Sequence, residues 1–362
     1  MNFDFTEEQR ALEDTVRRFI ARDYSFETRR AILATPAGWS REVWRALADL
    51  GVLALNIDEE HGGLGYGPLE TALVMNALGR GLLVEPYLAA AVVAPALIRR
   101  GASADFQAEW LPQIAGGEAI VIALAGKGLG AADGKLTGKS VTVVHGGCAD
   151  LLLAVADGGL YAVAPDAPGL TLRDYPLLDG QRAASIAFDR TPATQICRGG
   201  AANCGASCAA LDDALDIGLA ALCAEAVGIM DATLEATGEY LKTRRQFGQP
   251  IGRFQALQHR MADMLLHLEQ ARSMSWLAAL RCTAADAGER RRVLSAAKVV
   301  IGNACRYIAQ NAVQLHGGMG MSDELIVSHW FKRLTVIEMS FGDTDSHLRR
   351  FAALSNPNLR AA

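Results

Sequence analysis

The stretch Arg244-Arg-Gln246-Phe247-Gly248-Gln-Pro-Ile251-Gly-Arg-Phe254-Gln255 brings together residue types with chemistry to offer. An Arg presents a fixed fork of N–H donors that matches a pair of phosphate oxygens. A Phe beside it can support a flat ring. The same composition also suits an ordinary turn between two helices, with its Arg side chains in water. A second stretch, Gln314-Leu-His316-Gly317-Gly318-Met-Gly320, clusters glycines at a helix end. Glycines there free backbone N–H groups and let a ligand come close, or they simply terminate the helix. A third, Gly342-Asp343-Thr344-Asp345-Ser-His347, has the residue types of a metal site. No second group of ligands accompanies it, and a helix cap is the preferred reading. Gly62–Gly67 resembles a nucleotide loop only superficially, because no strand precedes it. Seven cysteines are irregularly spaced, and Cys204-x-x-x-Cys208 has no His or second Cys pair nearby. Reduced, mostly buried thiols in a cytoplasmic protein are expected, and no zinc site.

The elements that position these stretches can be read from periodicity. Thr6-Glu-Glu-Gln9 is a capping box, and Leu12, Val16, Phe19 and Ile20 follow at helical spacing. Further helices are expected from Ser40 (Trp44, Leu47, Leu50), after Pro68 (Leu69, Leu73, Leu78), over Ala89–Arg100 and over Ala104–Ile114. Near Ile120 the pattern changes. Val141–Val144, Leu151–Ala156, Leu160–Val163 and Ala184–Phe188 are short β-type runs separated by Gly, Asp and Pro. From Ser207 the chain reads as helix again. An apolar stripe from Leu215 to Leu234 runs toward Thr243, a second helix carries Leu257 to Leu277, and a third spans Val293–Gln314. Shorter helices cover Asp323–Met339 and Asp345–Leu354. Long helices with short connections imply an up-and-down bundle. The fold expected is α+β: an N-terminal helical domain (1–118), a small middle β-sandwich or barrel (119–205) and a C-terminal four-helix bundle (206–362).

Composition narrows the function classes. Of the 362 residues, 51% are hydrophobic and 21% charged, values outside the disordered and collagen-like ranges. Net charge is −5 and the pI about 5.8, without the basic excess of a nucleic-acid binder. An anionic ligand must therefore be held by local Arg or Lys. The longest uncharged run near an end, Tyr87–Ile98, contains Pro95 and falls short of the roughly 20 residues a bilayer span needs, so no membrane span is expected.

The order of elements, with the opening Phe3-Asp-Phe-Thr-Glu-Glu-Gln9, the run Leu50-Gly-Val-Leu-Ala-Leu-x-x-x-Glu59-Glu-His-Gly-Gly-Leu-Gly65, the two loops above and Trp330-Phe-Lys-Arg333, resembles the acyl-CoA dehydrogenase family of flavoproteins. The likeness covers nearly the whole chain and is weakest over 119–205. It implies FAD as cofactor, an acyl-CoA thioester as substrate and an electron-transfer flavoprotein as acceptor. It also implies roles for residues. Arg244 would hold the FAD pyrophosphate, with Phe247 packed nearby and Gln246 as a further contact. Gln314, Gly317 and Gly318 would receive the adenosine end of a flavin seated mainly in a neighbouring subunit. Thr344 matches the family's hydroxyl near the FAD phosphates.

The family's α,β-dehydrogenation needs one positioned carboxylate to remove the α-proton. One family position for that Glu, just before a Gly-Thr-like pair, is here Gly342. The other, 26 residues before the Arg of the RxxF loop, is Gly218. Asp343 and Asp216 are the nearby carboxylates. In the middle region the positions that usually present an aromatic and a Thr to the flavin are Thr142 and Val144, and the Thr-Glu-Pro-type strand is Ala123-Leu-Ala-Gly126. The chain is most similar to the small, base-lacking subunit of α2β2 heterotetrameric bacterial enzymes of pimeloyl-CoA or steroid side-chain type. That resemblance implies a non-catalytic subunit that completes a partner's FAD site. A self-sufficient homotetramer using Asp343 or Asp216, and a non-enzymatic acyl-CoA- or flavin-binding scaffold, stand as alternatives.

Overall fold

The computed structural model describes residues 5–126, 128–197 and 205–356. The first residues of the Phe3-containing start, and Cys204, lie outside them. The capping box forms as expected. Thr6 Oγ1 accepts the Gln9 N–H, the Gln9 side chain accepts the Thr6 N–H, and helix α1 runs Glu7–Asp23. A short helix that periodicity did not reveal, α2 (Phe26–Leu33), follows. Ser40 caps α3 (Arg41–Asp49), and α4 (Pro68–Arg80) begins at the proline that closes the glycine-rich loop. The stretch expected as one helix from Ala89 is a π-helical segment, Tyr87–Val93, that passes into α5 (Ala94–Gly101). Helix α6 is Ala104–Ala115.

The β region comprises β1 (Val121–Ala125), β2 (Gly130–Ala132), β3 (Lys135–Val144), β4 (Leu151–Ala156), β5 (Gly159–Val163), β6 (Leu170–Pro176), β7 (Arg182–Pro192) and β8 (Thr194–Gln195). They form two four-stranded sheets, ordered β1-β4-β5-β8 and β2-β3-β7-β6. Only β1 and β4 pair in parallel; the other neighbours in both sheets are antiparallel. Strand β4 is buried throughout, which explains its unbroken apolar run.

The helical half contains α7 (Gly205–Thr243), a two-residue hairpin of β9 (Arg245–Gln246) and β10 (Gln249–Pro250), α8 (Gln255–Arg281), α9 (Ala287–His316), α10 (Ile326–Met339) and α11 (Thr344–Ser355). Among the described residues one helix, Ser207–Thr243, is long and apolar enough to cross a membrane, yet 89% of its most apolar window is buried inside the protein. Its apolarity serves a core. Helix α9 packs against α8, α10 and α11 and buries Leu294, Ala297, Ile301, Cys305, Ile308, Ala312 and Leu315 at helical spacing.

By packing, the chain divides into two compact units. One gathers the chain up to Arg29, Ala72–Leu83 and the chain from Leu219 on; the other gathers Arg30–Thr71 and Val84–Gly218. In the first unit Arg333 and Glu225 form a buried two-point ion pair (2.6 and 2.7 Å) between α10 and α7. Gly79 makes way for that contact, since a Cβ there would lie 2.5 Å from the Glu225 carbonyl. In the second unit Tyr87 Oη donates to the Val52 carbonyl (2.9 Å) and Arg99 clamps Asp58.

Candidate functional site

The first unit carries two clusters of interest, both organised by α9. In an up-and-down arrangement the C-termini of α7 and α9 lie at the same end. There Tyr240, in the last turn of α7, stacks on His316, the last residue of α9, with ring centroids 4.4 Å apart. The Arg244 N–H donates to the Tyr240 carbonyl (2.8 Å), so the Arg244 loop starts one helical turn beyond that stack. The glycine loop starts at the next residue, Gly317. Thus Arg244, Gln246 and Phe247 are brought to the same bundle end as Gln314, Gly317 and Gly318.

The local geometry of this end is open. Phe247 and Gly248 both have positive φ (52° and 80°), the pair of left-handed residues that a two-residue hairpin turn requires. A Phe in that conformation is uncommon, and here the ring is 89% exposed, edge-on to Phe254 at 6.0 Å. Arg244, Gln246 and Gln314 are also exposed. Gly317 takes φ 63°, ψ −145°, a conformation open essentially to glycine alone. Gly318 has no positive φ, and a Cβ built on it meets nothing within 4 Å. Among the described residues nothing requires a glycine at 318, and the space beside it is open. Two helix C-termini carry partial negative charge, so an anion held here depends on Arg244 and its neighbour Arg245.

The second cluster is the turn from α10 to α11, where one of the family's base positions falls. It is closed. Asp343 is the N-cap of α11 and accepts the Ser346 N–H (2.8 Å). The Ser346 side chain and backbone hold its carboxyl below the usual carboxylate range, and it is exposed. A base for carbon acids needs the opposite, a raised pKa in a dry site. Gly342 has φ 100°, and a Cβ on it would lie 3.2 Å from His347 Nε2. Its carbonyl accepts from Lys298 Nζ (2.9 Å), which also donates to the Glu338 carbonyl (2.7 Å). Lys298 is 0% exposed, and burial lowers its pKa. His347 is buried, with Nδ1 at 3.2 Å from Ser295 Oγ and Nε2 at 3.1 Å from the Phe341 carbonyl. Burial pushes it down to about 4. Ser295, Lys298, Gly302 and Arg306 form one stripe of α9 that engages this turn and the end of α10: His347, Gly342, Thr344 and Glu338 respectively.

This separates Thr344 from the other candidates. Its hydroxyl is buried against Gly302, where a Cβ would come within 2.5 Å of it. Gly302 precedes His316 by 14 residues, about 21 Å along the helix. The expected cofactor-binding set therefore does not converge within one chain. Lys298 was missed by sequence reading, although a lone charge in the apolar run Leu294–Ile301 signals a buried cation with partners. The Tyr240–His316 stack was missed as well.

The remaining carboxylate, Asp216, is buried on α7. It is two residues from Gly218, about 200° around the helix, so it projects from nearly the opposite face. In the β region Gly126 abuts the Lys139 carbonyl, which would lie 2.6 Å from a Cβ, so no side chain fits at the end of β1. Thr142 sits at φ 56° beside a register shift in β3 and accepts from Tyr175 Oη (3.3 Å). Val144 is exposed beyond it.

Comparison with known proteins joins these observations. The profile described as acyl-CoA dehydrogenase, N-terminal domain, matches residues 6–118, and that of the C-terminal domain matches 209–354. Acyl-CoA dehydrogenase IpdE2 of Mycobacterium tuberculosis is 30% identical over 90% of this chain and 91% of its own length. Among solved structures, the ChsE4-ChsE5 complex from Mycobacterium tuberculosis contains a chain that superposes with a TM-score of 0.85 at 25% identity, over 98% of this chain and 99% of that one. The structure of PigA with FAD and proline shares the fold, with a TM-score of 0.86 at 24% identity over 99% and 100%. With profiles on both helical regions and a full-length relative at this identity, the chain belongs to the acyl-CoA dehydrogenase family of oxidoreductases.

Proposed function

We propose that this chain is the base-lacking subunit of a heteromeric, FAD-dependent acyl-CoA dehydrogenase and that it completes the FAD site of a catalytic partner. The observation that carries this reading is the Gly342 turn. A base position is occupied by a glycine in a left-handed conformation, with its carbonyl on a buried lysine and its missing Cβ against His347. The likeness to a chain of the ChsE4-ChsE5 complex supports a heteromer.

Arg244 binds the pyrophosphate, Gln246 and Gln314 supply polar contacts, and Phe247 inserts its exposed ring into the partner. Gly317 and Gly318 let the cofactor reach backbone donors, and the open space at Gly318 fits that task. Thr344 keeps the role the resemblance implies, a hydroxyl near the FAD phosphates; buried, that hydroxyl has no hydrogen-bond partner among the described residues, which fits the role. When bound, FAD supplies the hydride acceptor for α,β-dehydrogenation of an acyl-CoA thioester, and the partner contributes the base. Electrons then leave to an electron-transfer flavoprotein. Cys148, Cys197, Cys208, Cys223, Cys282 and Cys305 are free thiols, which supports a reducing, cytoplasmic setting.

The test is to purify the chain alone and with an acyl-CoA dehydrogenase encoded beside it, then measure flavin per protomer and acyl-CoA oxidation. Activity confined to the complex, with about one FAD per heterodimer, is the expected result. Arg244→Ala should weaken FAD binding by roughly 10- to 100-fold, the value of a charge-assisted phosphate contact. Activity of the chain alone that disappears in Asp343→Asn or Asp216→Asn would overturn the proposal.

A further inference from the structure

The two loops of the half-site come from helices far apart in sequence, so their spacing must be fixed by something. Helix α7 ends in an exposed turn, Lys242–Thr243, and the hairpin beyond it is exposed to its tip. On the other side a Cβ at Gly317 or Gly318 would meet nothing within 4 Å. Among the described contacts that join the two helix ends is an aromatic one. Tyr240 and His316 stack at 4.4 Å with an interplanar angle of 26°. The Tyr240 hydroxyl reaches the His316 carbonyl only at 3.5 Å, so the rings carry the contact. His316 is itself held, since its Nδ1 lies 2.8 Å from the Ala312 carbonyl and must donate to it. Each ring is also tied by backbone to one loop. The Tyr240 carbonyl accepts the Arg244 N–H, and Gly317 follows His316 directly, its own N–H bonded to the Gln314 carbonyl.

We infer that Tyr240 and His316 are positioning residues that set the distance between Arg244 and the Gly317–Gly318 backbone, and so determine how well the chain grips the adenosine diphosphate portion of FAD. This rests on the functional reading above, in which those two loops share one cofactor. Neither residue touches the cofactor; each acts through the loop it anchors.

The test uses the assembled flavoprotein, stripped of FAD and titrated with FAD, ADP and FMN. Tyr240→Ala removes the ring, and Tyr240→Leu fills its volume without a planar face. Tyr240→Phe keeps the ring and loses only the long hydroxyl contact. Loss of an aromatic pair is worth up to about tenfold in affinity. Tyr240→Ala and Tyr240→Leu should therefore weaken FAD and ADP by up to about tenfold alike and leave FMN unchanged, and Tyr240→Phe should restore binding to within about twofold. A merely structural role would lower the unfolding midpoint and leave the affinities of the folded protein alone. FAD and ADP affinities within about twofold of the parent in both Tyr240→Ala and Tyr240→Leu would overturn the inference. Arg244→Ala separates the two failures. If it weakens FAD while the Tyr240 variants do not, only the clasp is wrong. If it too has no effect, the half-site reading falls.

Discussion

The two places where α9 meets its neighbours are built on opposite plans. At its C-terminal end the Arg244 hairpin and the Gly317 loop are exposed, glycine-rich and under-packed. About 21 Å back along the same helix, the turn between α10 and α11 packs on α9: Lys298 and His347 are buried and hydrogen-bonded there, and the buried Thr344 hydroxyl alone lacks a partner among the described residues of the turn. The first leaves room that the described residues do not fill. The second is tied to α9 through Lys298 and His347, at the position where the family resemblance places a catalytic carboxylate. A glycine is decisive at each, for contrary reasons. Gly318 has room around it that the chain does not use, and Gly302 has none, because the Thr344 hydroxyl fills the place of its Cβ.

The largest expected break in this contrast is Lys298→Met. It leaves the Glu338 and Gly342 carbonyls buried without their donor, at about 1–3 kcal/mol each. Denaturant unfolding should show a loss of roughly 3 kcal/mol, centred on α11, with FAD binding at the far end of α9 little changed in the folded protein. Gly342→Glu comes next. The left-handed backbone and the His347 contact should cost about 2 kcal/mol, and the variant should gain no dehydrogenase activity when assayed without a partner. A restored turnover would show that the turn is less fixed than its geometry implies.

A matched pair sharpens the comparison further. Gly302→Ala should destabilise by about 1 kcal/mol, because overlap with Thr344 outweighs the gain in helix propensity. Gly318→Ala should change stability by less than about 0.5 kcal/mol while lowering FAD affinity, read by calorimetry and flavin titration. A further effect appears only in acid. The folded-state pKa of His347 lies near 4, below its ordinary 6.5, so the unfolded chain binds more protons between those values. The contribution of neutral His347 is complete above about pH 6.5 and is lost as pH falls toward 4. His347→Gln should flatten that part of the stability profile.

Much of this was legible in the residues. Caps at Thr6 and Ser40, the long apolar stripes of α7 to α9 and the buried run of β4 announce themselves because local chemistry and burial agree there. Helix α2 did not, since it is short and is held by tertiary bonds, among them Arg29 to the Leu82 carbonyl and to His329. The π-helical turns at Tyr87–Val93 break the 3.6-residue period and hide between Pro86 and Pro95. Strands β3 and β7 extend beyond their apolar runs because more polar stretches of both, from Lys135 and to Pro192, pair with each other in the ladder. For the site, glycines and Arg244 mark the open end by composition alone. The closed end was half-read: Asp343 could be weighed as a cap, but its tie to Lys298 through Gly342 joins residues 44 positions apart. Likewise the Tyr240–His316 contact spans 76 positions, which no local pattern encodes.

The Lys298 contact bears on the history of such a chain. With an ordinary backbone, a lost glutamate returns by a single codon change. Here Gly342 has a conformation that disfavours every side chain, and its carbonyl shares the buried Lys298 ammonium with the Glu338 carbonyl. Regaining the carboxylate would require the backbone, Lys298 and His347 to change together, each step alone costing stability. On the proposed heteromeric reading the turn works as a ratchet, holding the chain to a second, base-bearing subunit.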